Sequence, residues 1–188
     1  CGDISEIDLG SLPKADVVTG GFPCQDFSMI WKRGGINTER GNLYKYLVDV
    51  VRIVEPKIFI AENVKGLLSA NKGNAIKMIE RDFQELGKGY NTSINLVNFA
   101  EYGTPQIRER VLIIGIRKDI NGTFSLPKPS NTSETYISSK EALEGVESVP
   151  YNNEHQNIMQ KTRERLELIP PGGNFKSIPK DSPYYVKG

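Results

Sequence analysis

The chain has 188 residues, with 24 Lys and Arg against 23 Asp and Glu, and its net charge of +1 is not the strongly basic balance of a small nucleic-acid-binding domain. Its 38% hydrophobic content is enough for a core, and no apolar run reaches membrane-spanning length. Two cysteines exclude a disulfide framework, and with a single His they also exclude a Cys/His zinc site of the usual ligand count. The N-terminal Cys1-Gly2-Asp3-Ile4-Ser5 does not read as a signal peptide, and the low cysteine count leads to the expectation of a reducing cytoplasm.

Asp16-Val17-Val18-Thr19 reads as a buried strand of β-branched residues. It runs into Gly20-Gly21-Phe22-Pro23-Cys24-Gln25-Asp26-Phe27-Ser28. Pro23 fixes its own φ and lacks a donor, so this stretch predicts a rigid turn presenting one thiol at a strand's carboxyl end. The alternative for Cys24 is a small core hydrophobe. Residues 31–41 are polar and glycine-bearing and read as a loop. Leu43, Leu47, Val50, Val51 and Val54 recur at helical spacing before Pro56. Ile58-Phe59-Ile60-Ala61 is a second buried strand, ending on Glu62-Asn63-Val64. A helix is predicted over 73–86, then strands near 93–99 and 111–117. The last two are joined through Tyr102-Gly103-Thr104-Pro105 as an antiparallel edge. Strands alternating with helices imply an α/β fold with a mainly parallel sheet. From residue 120 Asn, Gly, Pro and Ser accumulate, which marks a linker. Ser138 and Glu141 form a capping-box pattern, and a helix over 156–168 stops at Pro170-Pro171.

Cys24 and Glu62 both fall at strand carboxyl ends, where an open α/β sheet keeps its chemistry. A thiol paired with a carboxyl group suits addition to an electron-poor ring while the acid protonates a ring nitrogen. Cys-His hydrolase chemistry would have to use His155, which lies in a polar stretch beyond the linker. In Gln106-Ile107-Arg108-Glu109-Arg110, extended backbone would aim Gln106, Arg108 and Arg110 the same way, as an anion clamp or as a solvated strand edge.

Gly20 to Ser28, Glu62-Asn63-Val64 and Gln106 to Val111 resemble three central motifs of the DNA (cytosine-5) methyltransferases, in order. Arg40-Gly41-Asn42-Leu43 and Gly2-Asp3-Ile4 resemble two more, so the likeness spans residues 2–118. It implies a Rossmann-like methyltransferase fold using S-adenosyl-L-methionine. Cys24 would attack carbon-6 of a flipped cytosine, and Glu62, placed by Asn63, would serve the ring's N3 edge. Arg110 would orient the assembly, and Arg108 would contact the base or the backbone. Asp3, Ile4, Pro23 and Leu43 would meet the cofactor. DNA would be held by Gln25, Ser28, Lys32, Arg33, Arg40 and Gln106.

The resemblance implies a monomer acting on double-stranded DNA, associated with the nucleoid. It would be the modification half of a restriction–modification pair, without stable contact to the cognate endonuclease. A tRNA cytosine-5 methyltransferase and a non-catalytic nucleic-acid-binding fragment are the alternatives. The family's Phe-x-Gly-x-Gly cofactor motif is expected to lie before residue 1, and the closing C-terminal motifs after residue 188. Residues 1–120 are therefore expected to be a catalytic core lacking its N-terminal cofactor motif, inactive alone. Residues 121–188 are expected to be a linker and a partial target-recognition region.

Overall fold

Four segments rich in β-branched and aromatic residues pair into one sheet. In the computed structural model, which describes residues 2–23, 43–150 and 157–185, these are β1 (Val17–Gly21), β2 (Ile58–Val64), β3 (Tyr90–Asn98) and β4 (Glu109–Arg117). Their order is β1-β2-β4-β3. β1 runs parallel to β2, while β4 is antiparallel to both β2 and β3.

The mixed α/β sheet and the antiparallel closing pair agree with the sequence reading, but the balance differs. Parallel pairing is confined to β1 and β2 among the described residues, while the closing pair forms the antiparallel end of the sheet as expected, with β3 outermost and β4 inside it. The reason is apolarity on both faces. Val111 and Ile113 are fully buried and Ile114 nearly so, as suits a strand inside the sheet with a partner on each edge. β3 carries Asn91, Thr92, Ser93 and Asn95, residues an edge tolerates. β1 is also less buried than its composition implies. Val17 is 48% exposed, because β1 ends the described sheet.

Helix α1 (Leu43–Val54) forms where the apolar spacing places it, burying Tyr44, Leu47, Val48, Val51 and Val54. Helix α2 (Asn74–Gln84) is shorter than expected. Gly73 precedes it at a φ of 83°, and Ala75, Ile79 and Phe83 point inward. Both helices cover the sheet face that carries Phe59 and Ala61. The Phe59 and Phe83 rings stack with centroids 4.1 Å apart. Tyr90 and Tyr44 extend this group edge-on, and Phe22 meets Tyr44 at 5.3 Å, so the aromatic core runs up to the residue before Pro23. Two of its members keep their hydroxyls satisfied: Tyr44 donates to Asp82 at 3.0 Å and Tyr90 to the Pro56 carbonyl at 2.9 Å. Phe59 lies across Gly115, its partner on β4, where a Cβ would come within 2.0 Å of the ring.

The chain divides into two compact units, residues 1–142 and 143–188. Residues 121–138 have no regular secondary structure beyond turns and belong to the first unit, as does the short helix α3 (Ser139–Ala142). The capping box read from the sequence is present: Ser138 N donates to Glu141 at 2.7 Å and Glu141 N to Ser138 Oγ at 3.2 Å. The second unit holds α4 (Gln160–Glu167), within the span predicted for it, and Tyr184 donates to Glu164 on that helix. Among the described residues no helix is long and apolar enough to cross a membrane.

Gly115→Ala is expected to destabilise the fold by about 1–3 kcal/mol, because the ring it strikes is wedged against Phe83 and cannot swing away. Gly20→Ala should cost less, since its Cβ meets only the flexible tip of Leu47 at 2.7 Å. Urea unfolding of the two variants checks the order, and equal losses would contradict it. A second expectation concerns alkali. Burial pushes the Tyr90 hydroxyl up to about 12. Above its ordinary value near 10 the unfolded chain releases this proton and the folded chain does not, so stability must fall as pH rises from about 10 to about 12. Tyr44, raised in the same direction mainly by burial and then by Asp82, adds to the slope. Tyr90→Phe should flatten the slope without abolishing it, as read from unfolding curves across that range.

Candidate active site

On β2 successive side chains alternate between faces, so Phe59, Ala61 and Asn63 point into the helix-covered core while Glu62 points to the other side. Glu62 pairs in register with Gly21 on β1 and with Leu112 on β4. Arg110, opposite Val64, is therefore its diagonal neighbour on the same face. Arg110 Nε forms an ion pair with Glu62 Oε1 at 2.9 Å, and Arg110 Nη1 donates to the Glu109 carbonyl at 2.8 Å. Arg108 Nη2 stands 4.0 Å from the same carboxylate oxygen. Arg110 is 20% exposed against 43% for Arg108, so Arg110 is the firmer contact. The second oxygen, Oε2, lies over β1, where a Cβ on Gly21 would sit 3.6 Å away.

Asn63 does the structural half of the work. It is 2% exposed, donates from Nδ2 to the Phe22 carbonyl at 2.8 Å and accepts at Oδ1 from Val64 N at 2.9 Å. One amide thus ties the end of β2 to the backbone leaving β1, at the residue that enters Pro23-Cys24. Pro23 already biases Phe22 toward extended backbone, and the hydrogen bond fixes where its carbonyl points.

Beside this pair lies a groove of about 430 Å³ lined in part by Lys65, Gln106, Arg108 and Arg110. Gln106 sits in a turn, with its amide on the Thr104 carbonyl at 2.8 Å, so the extended face begins at Arg108 instead of Gln106. Glu109, between the two arginines, faces away from Glu62. Lys65 Nζ takes both of its oxygens, at 2.8 and 2.9 Å. Sequence reasoning passed over Lys65 and Glu109. The only signal was the alternation of charge in Arg108-Glu109-Arg110.

The remaining expected residues lie on other segments. Asp3 caps a 3-10 turn over Ile4–Glu6, and the Ser5 hydroxyl and amide hold its carboxyl below the usual range. Ile4 is half-buried, Pro23 is exposed, and Leu43 opens α1 at 37% exposure. Cys24, Gln25, Ser28, Lys32, Arg33, Arg40 and His155 lie outside the described residues.

A carboxylate at the end of one strand, paired with arginines from an antiparallel neighbour, stands at the carboxyl end of the parallel pair of an α/β sheet, one strand over from the residue that precedes Pro23. The family model for C-5 cytosine-specific DNA methylases matches residues 1–184, and the chain belongs to that family. It is 50% identical to the type II methyltransferase M.NgoFVII of Neisseria gonorrhoeae and 41% identical to M.BbvI of Brevibacillus brevis, in each case over 100% of this chain and 52% of the relative. The chain therefore spans about half the length of these curated relatives. Among solved structures, a candidate DNA modification methyltransferase encoded within an E. coli prophage superposes with a TM-score of 0.56 at 25% identity, covering 77% of this chain and 40% of that one.

Asn63→Ala should cost about 1–3 kcal/mol of stability by leaving the Phe22 carbonyl without its partner. Asn63→Asp, which keeps the size but not the donor, should fare no better. Urea unfolding decides, and a wild-type midpoint for Asn63→Asp would show that the bond to Phe22 contributes nothing.

Proposed function

We propose that this chain is the catalytic part of a DNA cytosine-5 methyltransferase of a restriction–modification system. The observation that carries the reading is Glu62. Its carboxylate is held on one oxygen by Arg110 and approached by Arg108, while the other oxygen lies over the strand that leads to Cys24. A carboxyl group so fixed can address one edge of a planar base while a thiol attacks the ring.

In this reading Cys24 adds as a thiolate to carbon-6 of an extruded cytosine. Glu62 hydrogen-bonds and protonates N3, which moves ring electrons toward carbon-5. Arg110 keeps the carboxyl group oriented, Arg108 reaches the base or its backbone, and Asn63 holds the two strand ends at a constant separation. When a water molecule takes the carbon-5 proton, the electron pair of that C–H bond forms the carbon-5–carbon-6 double bond and expels the Cys24 thiolate, and N3 returns its proton to Glu62.

Asp3 offers an acidic acceptor, and half-buried Ile4, with exposed Pro23 and Leu43, offers apolar surface, which fits the amine and ring of an adenosyl group. S-adenosyl-L-methionine, when bound, supplies the methyl group that carbon-5 takes. Gln106 lines the basic groove, and with Gln25, Ser28, Lys32, Arg33 and Arg40 it would contact double-stranded DNA. Residues 1–120 carry the chemistry and residues 121–188 lead into target recognition. The protein works as a monomer in the cytoplasm, at the nucleoid, and meets its cognate endonuclease only through the shared DNA site.

The test is a covalent trap. An enzyme completed to its relatives' length, given S-adenosyl-L-methionine and a duplex containing 5-fluorocytosine, should form an adduct that survives denaturing electrophoresis. Cys24→Ser should abolish the adduct, and Glu62→Gln should slow its formation by about 10²-fold or more. An adduct that persists in Cys24→Ser removes Cys24 from the nucleophile's role.

A further inference from the structure

The exposed Arg108 side chain owes its placement to its backbone, and that backbone is held by residues outside the proposed chemistry. Asn98, the last residue of β3, accepts at Oδ1 from Arg108 N at 3.1 Å and from Ala100 N at 3.2 Å. The Arg108 carbonyl accepts from Phe99 N at 3.0 Å. Both peptide groups of Arg108 are thus fixed from the β3 end. Because two backbone N–H groups point at one atom of the Asn98 amide, that atom must be the oxygen, and the NH₂ group faces the other way. There it donates to the Tyr136 hydroxyl at 3.2 Å.

Tyr136 belongs to the stretch that the sequence presents as a linker, and this stretch is pinned along the same loop. The Tyr102 hydroxyl donates to the Pro127 carbonyl at 3.1 Å, and the amides of Ser130 and Asn131 both reach the Glu101 carbonyl at 3.0 Å. Residues 127–136 form a strap across the connection between β3 and β4, and Asn98 joins strap to arginine. We propose that Asn98 and Tyr136 are positioning residues for Arg108, so that the strap sets where this arginine stands relative to Glu62. Resting on the methyltransferase reading, this gives the segment that runs on toward target recognition a physical route to the base-facing arginine. A displacement of Tyr136 changes the Asn98 amide, and the amide carries the Arg108 backbone with it.

Amide hydrogen exchange, resolved by NMR on this chain, tests the proposal without DNA or methyl donor, so the proposal can fail while the enzymatic reading stands, and the reverse. Tyr136→Phe removes one hydroxyl and leaves the Asn98 cap on Ala100 in place. It should speed exchange at the Arg108 amide by about threefold to tenfold and shift the Arg108 Nε–H resonance, with the buried Ile113 amide unchanged. Asn98→Ala should speed exchange at Arg108 by about tenfold or more, and Asn98→Asp, which keeps the acceptor, should restore protection there. Unchanged Arg108 exchange in Tyr136→Phe overturns the proposal by reducing Asn98 to a local cap. Acceleration shared equally by Ile113 overturns it as well, because it would report general loosening.

Discussion

The site depends on a single buried amide. Asn63 spans from the end of β2 to the carbonyl that precedes Pro23, and without that bond two parallel strand ends would be joined only by a ladder that stops at Gly21 and Glu62. Its neighbour Glu62 points the opposite way because strands alternate. Adjacent residues therefore divide the labour. One is committed to the core and sets distance, the other faces the arginines of β4. The arrangement couples precision in the groove to packing in the interior, where Phe22, Tyr44, Phe83, Phe59 and Tyr90 form a continuous aromatic path.

β4 supplies the other half. Its apolar centre forces it between two neighbours, and that position brings the arginine at its start diagonally across from Glu62. Charge around this point is sorted. Glu62 faces Arg110 and Arg108, while Glu109 is taken by Lys65 on the other side of the strand. Left unpaired, Glu109 would be a second carboxylate next to both arginines. These contacts are partly exposed, so their value lies more in orientation than in stability.

The sequence carried the elements well because their signals are local. The spacing of Leu43, Leu47, Val51 and Val54 marks a helix, β-branched runs mark strands, and the step from Ser138 to Glu141 marks a cap. Glu62, Arg108 and Arg110 were legible as a group because a motif order and a period of two pointed to them. The position of β4 was not legible, since nothing local tells an apolar strand which distant strand it will adjoin. The exposure of Val17 follows from the same sheet order and was hidden with it. The pairing of Lys65 with Glu109 and the bridge from Asn98 to Tyr136 join residues far apart in the chain. Each partner alone looks like an ordinary surface side chain. Gln106 does not share the extended face because the turn closed by its own amide on the Thr104 carbonyl reaches past it, and β4 starts only at Glu109.

The sheet order also has a kinetic meaning. β3 and β4 are joined by a short connection and can zip together as a hairpin, whereas β2 and β4 meet only after the long excursion through α2 has closed. Glu62 and Arg110 sit on the two strands of that late ladder. The clamp on the carboxylate thus needs a pairing between strands distant in sequence, and a chain with only its helices and hairpin formed would hold both residues without holding them together.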